Sequence, residues 1–164
     1  MPTIRLKTEI HAPIKRCFDL SRSIDLHLAS TAQTKEQAIA GVTSGLIGLG
    51  ESVTWKAKHF GVWQTLTSKI TAFDSPHYFA DEQVAGIFAS FKHEHIFTEQ
   101  QSGITQMEDV FHYISPLGLL GKLADMLFLE QYLKRFLKER NEIIQQSAES
   151  DNWAIFLPDD SENQ

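Results

Sequence analysis

The stretch Ser52-Val-Thr-Trp-Lys-Ala-Lys-His-Phe60 puts Val53, Trp55, Ala57 and His59 on one side and Thr54, Lys56 and Lys58 on the other. A period of two is the signature of a half-buried strand. Gly61 supplies a turn. A second strand then spans Trp63 to Phe73, with Leu66, Ser68 and Ile70 opposite Thr65, Thr67 and Lys69. Asp74-Ser75-Pro76 is turn chemistry, and His77 to Val84 reads as a third strand ending near Gly86. Phe91 to Glu99 is a fourth, Gln101-Ser102-Gly103 a turn, and Ile104 to Ser115 a fifth. Gaps this short require antiparallel neighbours, because parallel strands need a long crossover.

Upstream, Thr3 to His11 alternates as well, with Ile4, Leu6, Thr8 and Ile10 on one face. Ala12-Pro13 ends that strand, and Pro13 suits the first turn of a helix. Phe18, Leu20, Leu26 and Leu28 predict one or two short helices between residues 13 and 31, with Asp19 and Asp25 at solvated or capping positions. Residues 35–42 read as a weak strand. Gly45, Gly48 and Gly50 follow, but with no Gly-Lys-Ser/Thr ending, so the stretch reads as a flexible connection rather than a phosphate loop. Downstream, Pro116 and Gly118 close the sheet. Leu119, Leu123, Met126, Leu129, Leu133, Phe136, Leu137 and Ile144 then draw an apolar stripe, predicting one helix over 118–146. At about 1.5 Å per residue it is roughly 40 Å long, enough to cross a sheet. The fold class expected is therefore α+β, a curved antiparallel sheet wrapped around a long C-terminal helix.

The chain has 164 residues, 42% of them hydrophobic, enough for one domain with a core that needs no disulfide or structural metal. The net charge of −6 is uneven: Glu149, Asp151, Asp159, Asp160 and Glu162 account for −5, leaving −1 for residues 1–146. We expect a domain over 1–146 and an acidic tail over 147–164. Trp153-Ala-Ile-Phe-Leu-Pro158 within that tail is either part of a disordered end or a segment that docks on its own domain or on a partner. No basic face advertises nucleic-acid binding. The leucine-rich run from Leu117 to Leu137 is interrupted by Lys122, Asp125, Glu130, Lys134 and Arg135, so it does not read as a membrane span. The N-terminus shows no apolar leader, and the cytoplasm is the expected compartment. The single cysteine, Cys17, excludes an intramolecular disulfide. It is either a nucleophile activated by Lys15 and Arg16 or, as we favour, a small buried side chain.

Several blocks carry a resemblance to a known family: Gly48-Leu-Gly-Glu-Ser-Val-Thr-Trp55, His59-Phe-Gly61, Phe79-Ala-Asp-Glu-Gln-Val-Ala-Gly86, Phe91-Lys-His-Glu-His-Ile-Phe97, Thr105-Gln-Met-Glu-Asp109 and Pro116-Leu-Gly118. Together they make residues 3–146 resemble the SRPBCC ligand-binding proteins, in the superfamily of START lipid-transfer domains, the birch-pollen allergen and the polyketide cyclases/dehydrases. The resemblance implies a helix-grip fold with a deep, largely apolar cavity. It does not imply a reaction, since that superfamily hosts binders, carriers and enzymes alike.

The sharpest chemical feature is His93 and His95, which share a strand face with Phe91 and Phe97 and so point inward. His59 shares a face with Trp55; Asp109 shares one with Met107, Phe111 and Tyr113. A buried carboxylate needs a partner, and either strand histidine suits Asp109. Of Asp81 and Glu82, one faces inward, and alternation does not say which. Trp55, Phe97, Phe111, Tyr113 and the helix stripe, Met126 included, are expected to wall a pocket of several hundred Å³. The candidate ligand-binding set is Trp55, His59, His93, His95, Phe97, Asp109, Phe111, Tyr113 and Met126. No metal is expected on His93 and His95, because no third ligand sits at a recognisable spacing, and no cofactor is expected. The leading reading is binding or transport of a hydrophobic small molecule or lipid, without stable membrane insertion. The alternatives are a cyclase/dehydrase-like or hydrolase-like enzyme using the pocket histidines and Asp109, and an interaction module with an incidental cavity.

Overall fold

The computed structural model describes residues 2–101, 103–115 and 128–157. Seven strands form one antiparallel sheet: β1 (Thr3–Ile10), β2 (Gln37–Gly41), β3 (Ser52–His59), β4 (Val62–Asp74), β5 (Tyr78–Ala85), β6 (Ser90–Gln101) and β7 (Ile104–Ile114), in the order β1-β7-β6-β5-β4-β3-β2. The strands β3 to β7 form a continuous meander. The turn joining β3 to β4 is Phe60-Gly61, with φ of 51° and 78°, flanked by the pair His59↔Val62. Two successive positive φ values match the twist of antiparallel strands. Register shifts between Thr67/Ser68 and between Ile70/Ala72 break the β4–β5 ladder. Bulges of this kind bend a strand and increase twist, and they curve the sheet around its concave face.

Two helices, α1 (Ile14–Ser21) and α2 (Ile24–Ser30), cross one end of that face. Phe18 of α1 is fully buried, its ring meeting Phe73, Phe79 and Phe97 edge-on at 5.2, 5.5 and 5.5 Å. Ser23 caps α2 by accepting a hydrogen bond from the Leu26 amide. Asp19, expected at a solvated or capping position, is instead buried. Lys15 and Arg22 hold it at 2.8 and 2.7 Å, which compensates for its loss of water. The glycine-rich connection before β3 is tied down at two points: the Ile24 amide donates to the Gly45 carbonyl, and the Ile47 amide to the Arg22 carbonyl.

The C-terminal helix α3 (Glu130–Ala148) lies against β1, α1 and α2. Its buried face carries Leu137, Arg140, Asn141 and Ile144, so two polar residues occupy the centre of the stripe. Residues 116–127, which include the expected stripe positions Leu119, Leu123 and Met126, lie outside the described residues. A short helix, α4 (Trp153–Phe156), follows. Trp153, Phe156 and Leu157 pack against the core, and the Arg16 guanidinium sits 4.4 Å from the centre of the Trp153 ring. Among the described residues no helix is long and apolar enough to cross a membrane.

Candidate functional site

Between the concave sheet face and α3 lies a cavity of about 390 Å³. Its walls are mostly apolar, with Trp55, Ile70, Phe91 and Phe111 on the sheet side and Phe136 and Leu137 on the helix side. Two polar clusters interrupt them.

The first cluster is assembled by strand register. Asp81 of β5 pairs with His93 of β6, and His95 of β6 with Asp109 of β7. Alternation sends all four side chains to the concave face. Asp109 is 1% exposed and forms the hub. Its Oδ1 accepts a hydrogen bond from His93 Nε2 at 2.9 Å, and its Oδ2 accepts one from Asn141 Nδ2 at 2.6 Å. His95 Nδ1 also lies 2.9 Å from Oδ1, off the line of an aligned hydrogen bond, so that contact is chiefly ionic. Arg140 Nη1 is 3.8 Å from the same oxygen, while Nη2 donates to the Ser21 carbonyl at 2.8 Å. The two imidazoles lie 3.9 Å apart, and His95 stacks on Phe79 at 4.1 Å.

These contacts set the charges. Burial alone would raise the Asp109 pKa, but His93 and His95 hold it well below the usual carboxylate range. An ionised carboxylate only accepts hydrogen bonds, so Nε2 of His93 carries the proton. Burial, reinforced by the neighbouring His95, pushes the His93 pKa down to about 4, leaving Nδ1 a free lone pair at neutral pH. Burial also opposes a charge on His95, yet its contacts with Asp109 and Asp81 outweigh burial and raise its pKa. Asp81 is lowered, with His95 and His93 overcoming burial.

The second cluster lies on the same cavity wall. Glu36, just before β2, places Oε2 3.2 Å from His27 Nε2, and the His27 ring stacks on Trp55 at 4.2 Å. His59 Nδ1 meets the Tyr132 hydroxyl at 2.6 Å. Burial lowers the His59 pKa; that of Glu36 is lowered because His27 overcomes the effect of burial.

Of the residues singled out from sequence, Trp55, His59, His93, His95 and Phe111 line the cavity, and Asp109 stands directly behind the two histidines. Phe97 and Tyr113 take up other places. Phe97 is buried against Phe18 and Phe79, and Tyr113 packs beside Phe88 and Phe111. Met126 lies outside the described residues. Asp81 is the inward member of its pair; Glu82 accepts a hydrogen bond from Thr71 on the other face. Arg140, Asn141, Glu36 and Tyr132 escaped sequence reasoning. A signal for the first two existed: positions three and four after Leu137 are Arg140 and Asn141, and Ile144 resumes the stripe. Cys17 is buried and its thiol is pushed up to about 11, which leaves almost no thiolate for nucleophilic chemistry at neutral pH.

No family model matches this chain, and no curated protein matches it in sequence. Solved structures do match it. An aromatase/cyclase from Streptomyces superposes with a TM-score of 0.74 at 15% identity, covering 96% of this chain and 99% of that one. A START superfamily protein from Mycobacterium smegmatis gives 0.68 at 8% identity, over 90% and 97% of the two chains. The major latex-like protein 151 of Panax ginseng gives 0.66 at 15%, again over 90% and 97%. The chain thus has the helix-grip fold of these proteins, a curved seven-stranded antiparallel sheet with a C-terminal helix. At such identities the likeness establishes the fold alone.

Proposed function

We propose that this protein binds or carries a hydrophobic small molecule bearing a polar group, seated between the sheet and α3. The observation that carries this reading is the cavity of about 390 Å³, walled by aromatic and aliphatic side chains and interrupted by two polar clusters. Small-molecule sites of about 300–1,000 Å³ commonly combine apolar walls with a few fixed polar groups. The walls supply affinity by removing apolar surface from water, and the His93–His95–Asp81–Arg140 group supplies orientation. Mass spectrometry of an organic extract of the purified protein, with displacement of an environment-sensitive apolar dye, tests it. The reading predicts a co-purifying apolar compound, or stoichiometric dye binding that an apolar competitor reverses. An extract with no such compound, together with a dye that never binds, would overturn it.

A second reading, a cyclase/dehydrase-like or hydrolase-like enzyme, is favoured by one specific feature. Asp109 contacts both histidines, and a carboxylate that fixes a tautomer is how an imidazole is held for proton transfer. His95, with its raised pKa, is the better acid–base candidate; His93, at about 4, is a weak base. Turnover of an apolar polyketone or ester that is lost in His95→Gln while dye binding persists would support this reading over simple carriage.

A further inference from the structure

We infer that Asp81, His93 and His95 form a binding site for a divalent transition metal ion of the zinc class, with an open coordination position facing the cavity. One donor atom from each residue lies within 4.8 Å of the other two. Asp81 Oδ1 is 3.5 Å from His95 Nε2 and 4.0 Å from His93 Nδ1. An ion with bonds of about 2.0–2.2 Å holds its ligands at comparable separations. Binding would draw the three donors somewhat closer together, and Asp81, whose side chain keeps 18% of its surface accessible, has room to move.

A second, independent observation points the same way. Each imidazole directs one nitrogen to Asp109, His93 through Nε2 and His95 through Nδ1, both at 2.9 Å. The other nitrogen of each ring is thereby left facing Asp81. Metal-binding histidines generally have a carboxylate behind the ring that fixes the tautomer; the His93–Asp109 hydrogen bond has that arrangement, and His95 meets the same carboxylate through an ionic contact. A cation placed among these three donors would take the place of any proton held between His95 Nε2 and Asp81. The surrounding charge permits one: within the described cluster the carboxylates of Asp81 and Asp109 stand against the guanidinium of Arg140. Two imidazoles and one carboxylate suit zinc, cobalt, nickel or iron, whereas magnesium and calcium favour all-oxygen shells.

The third donor comes from the neighbouring strand, through the pair Asp81↔His93, and no spacing along the chain records it. Asp81, His93 and His95 all line the cavity. An ion held by them presents its free position to whatever the cavity contains, and an oxygen of the guest, such as a carbonyl, enolate or carboxylate, would complete its shell.

The test uses the full chain, stripped with a chelator and free of added apolar ligand. Failure of the metal reading is thus separate from failure of the carrier reading. Zn²⁺ is titrated by calorimetry and Co²⁺ by visible absorption. The expected result is one equivalent bound, with the d–d bands of a low-coordinate nitrogen/oxygen site. Asp81→Asn, on the cavity surface, should keep the parent's circular dichroism spectrum and lose about 10-fold or more in affinity; Asp109→Asn, behind the rings, should lose about 10–100-fold. His11→Gln, at an exposed histidine, should change nothing. Absence of the cobalt bands, or equal affinity in the parent and Asp81→Asn, would mean an adventitious surface ion only and would overturn the site.

Discussion

Replacing Asp109 by Asn tests the hub of the polar cluster with almost no change of shape. The amide oxygen can still accept from His93 Nε2. Asn141 can turn its own oxygen, which has no hydrogen-bond partner among the described residues, toward the new amide group. What is lost is the charge, with Arg140 at 3.8 Å and His95 at 2.9 Å. Hydrogen bonds to a charged group contribute about 1.5–3 kcal/mol and neutral ones about 0.5–1.5. Removing one side of a buried ion pair costs about 3–5 kcal/mol. With the neutral bonds retained, the expected loss is near the lower end, about 3 kcal/mol. For a chain of this length that corresponds to a fall in Tm of about 6–12 °C. Urea unfolding followed by tryptophan fluorescence measures it. The effect also depends on pH in one direction. Asp109 has a folded pKa below its unfolded value, so its contribution is present above the ordinary carboxylate range and disappears as pH falls through the folded pKa. The deficit of the variant should therefore be largest at neutral pH and shrink in acid. A deficit below about 1 kcal/mol at neutral pH, within the spread of ordinary substitutions, or one that grows in acid, would refute the reasoning.

Other expectations can be checked alongside. The imidazole of His93 should titrate by NMR near 4 and that of His95 above the ordinary histidine value; because His93 stays neutral when folded, its contribution falls as pH drops from 6.5 toward about 4, and His93→Gln should flatten that limb. Phe18→Ala removes a fully buried ring with three aromatic neighbours and should cost about 3–5 kcal/mol in chemical denaturation. Leu133→Trp places bulk from α3 into the cavity and should abolish dye binding while the circular dichroism spectrum is unchanged. Trp153→Ala removes the ring under Arg16 and should cost about 1–2 kcal/mol, with faster proteolysis after Ala148 as the readout.

Alternation along single strands made much of the fold legible. His93 and His95 could be placed inward because Phe91 and Phe97 bracket them at even spacing. What alternation does not contain is register between strands. That is why Asp81 and Glu82 were indistinguishable: the bulge between Ile70 and Ala72 and the pairing Asp81↔His93 arise only when β4, β5 and β6 meet. A binary apolar pattern passes over polar residues on a helix, so Arg140 and Asn141 carry no signal in it, although they lie between Leu137 and Ile144 of the stripe. They are buried because Asp109 and the Ser21 carbonyl await them. Phe97 and Tyr113 share the inward face with the cavity residues. The sheet extends beyond the cavity at both ends, though, and there α1 and Phe88 cover them.

The strand order has a consequence for how the chain is made. β1 emerges first, yet its neighbour among the described strands is β7, whose residues Ile104–Ile114 come roughly a hundred residues later. At about 5–20 residues per second, the first strand waits on the order of 5–20 s for its partner. Meanwhile β3 to β7 can add hairpin by hairpin, each closing only a short loop. The first strand is therefore the last piece of the sheet, laid along the Met107–Phe111 stretch once the rest stands. Until β7 emerges, β1 has an unpaired edge, and in that interval a nascent chain is most exposed to joining the edge of another.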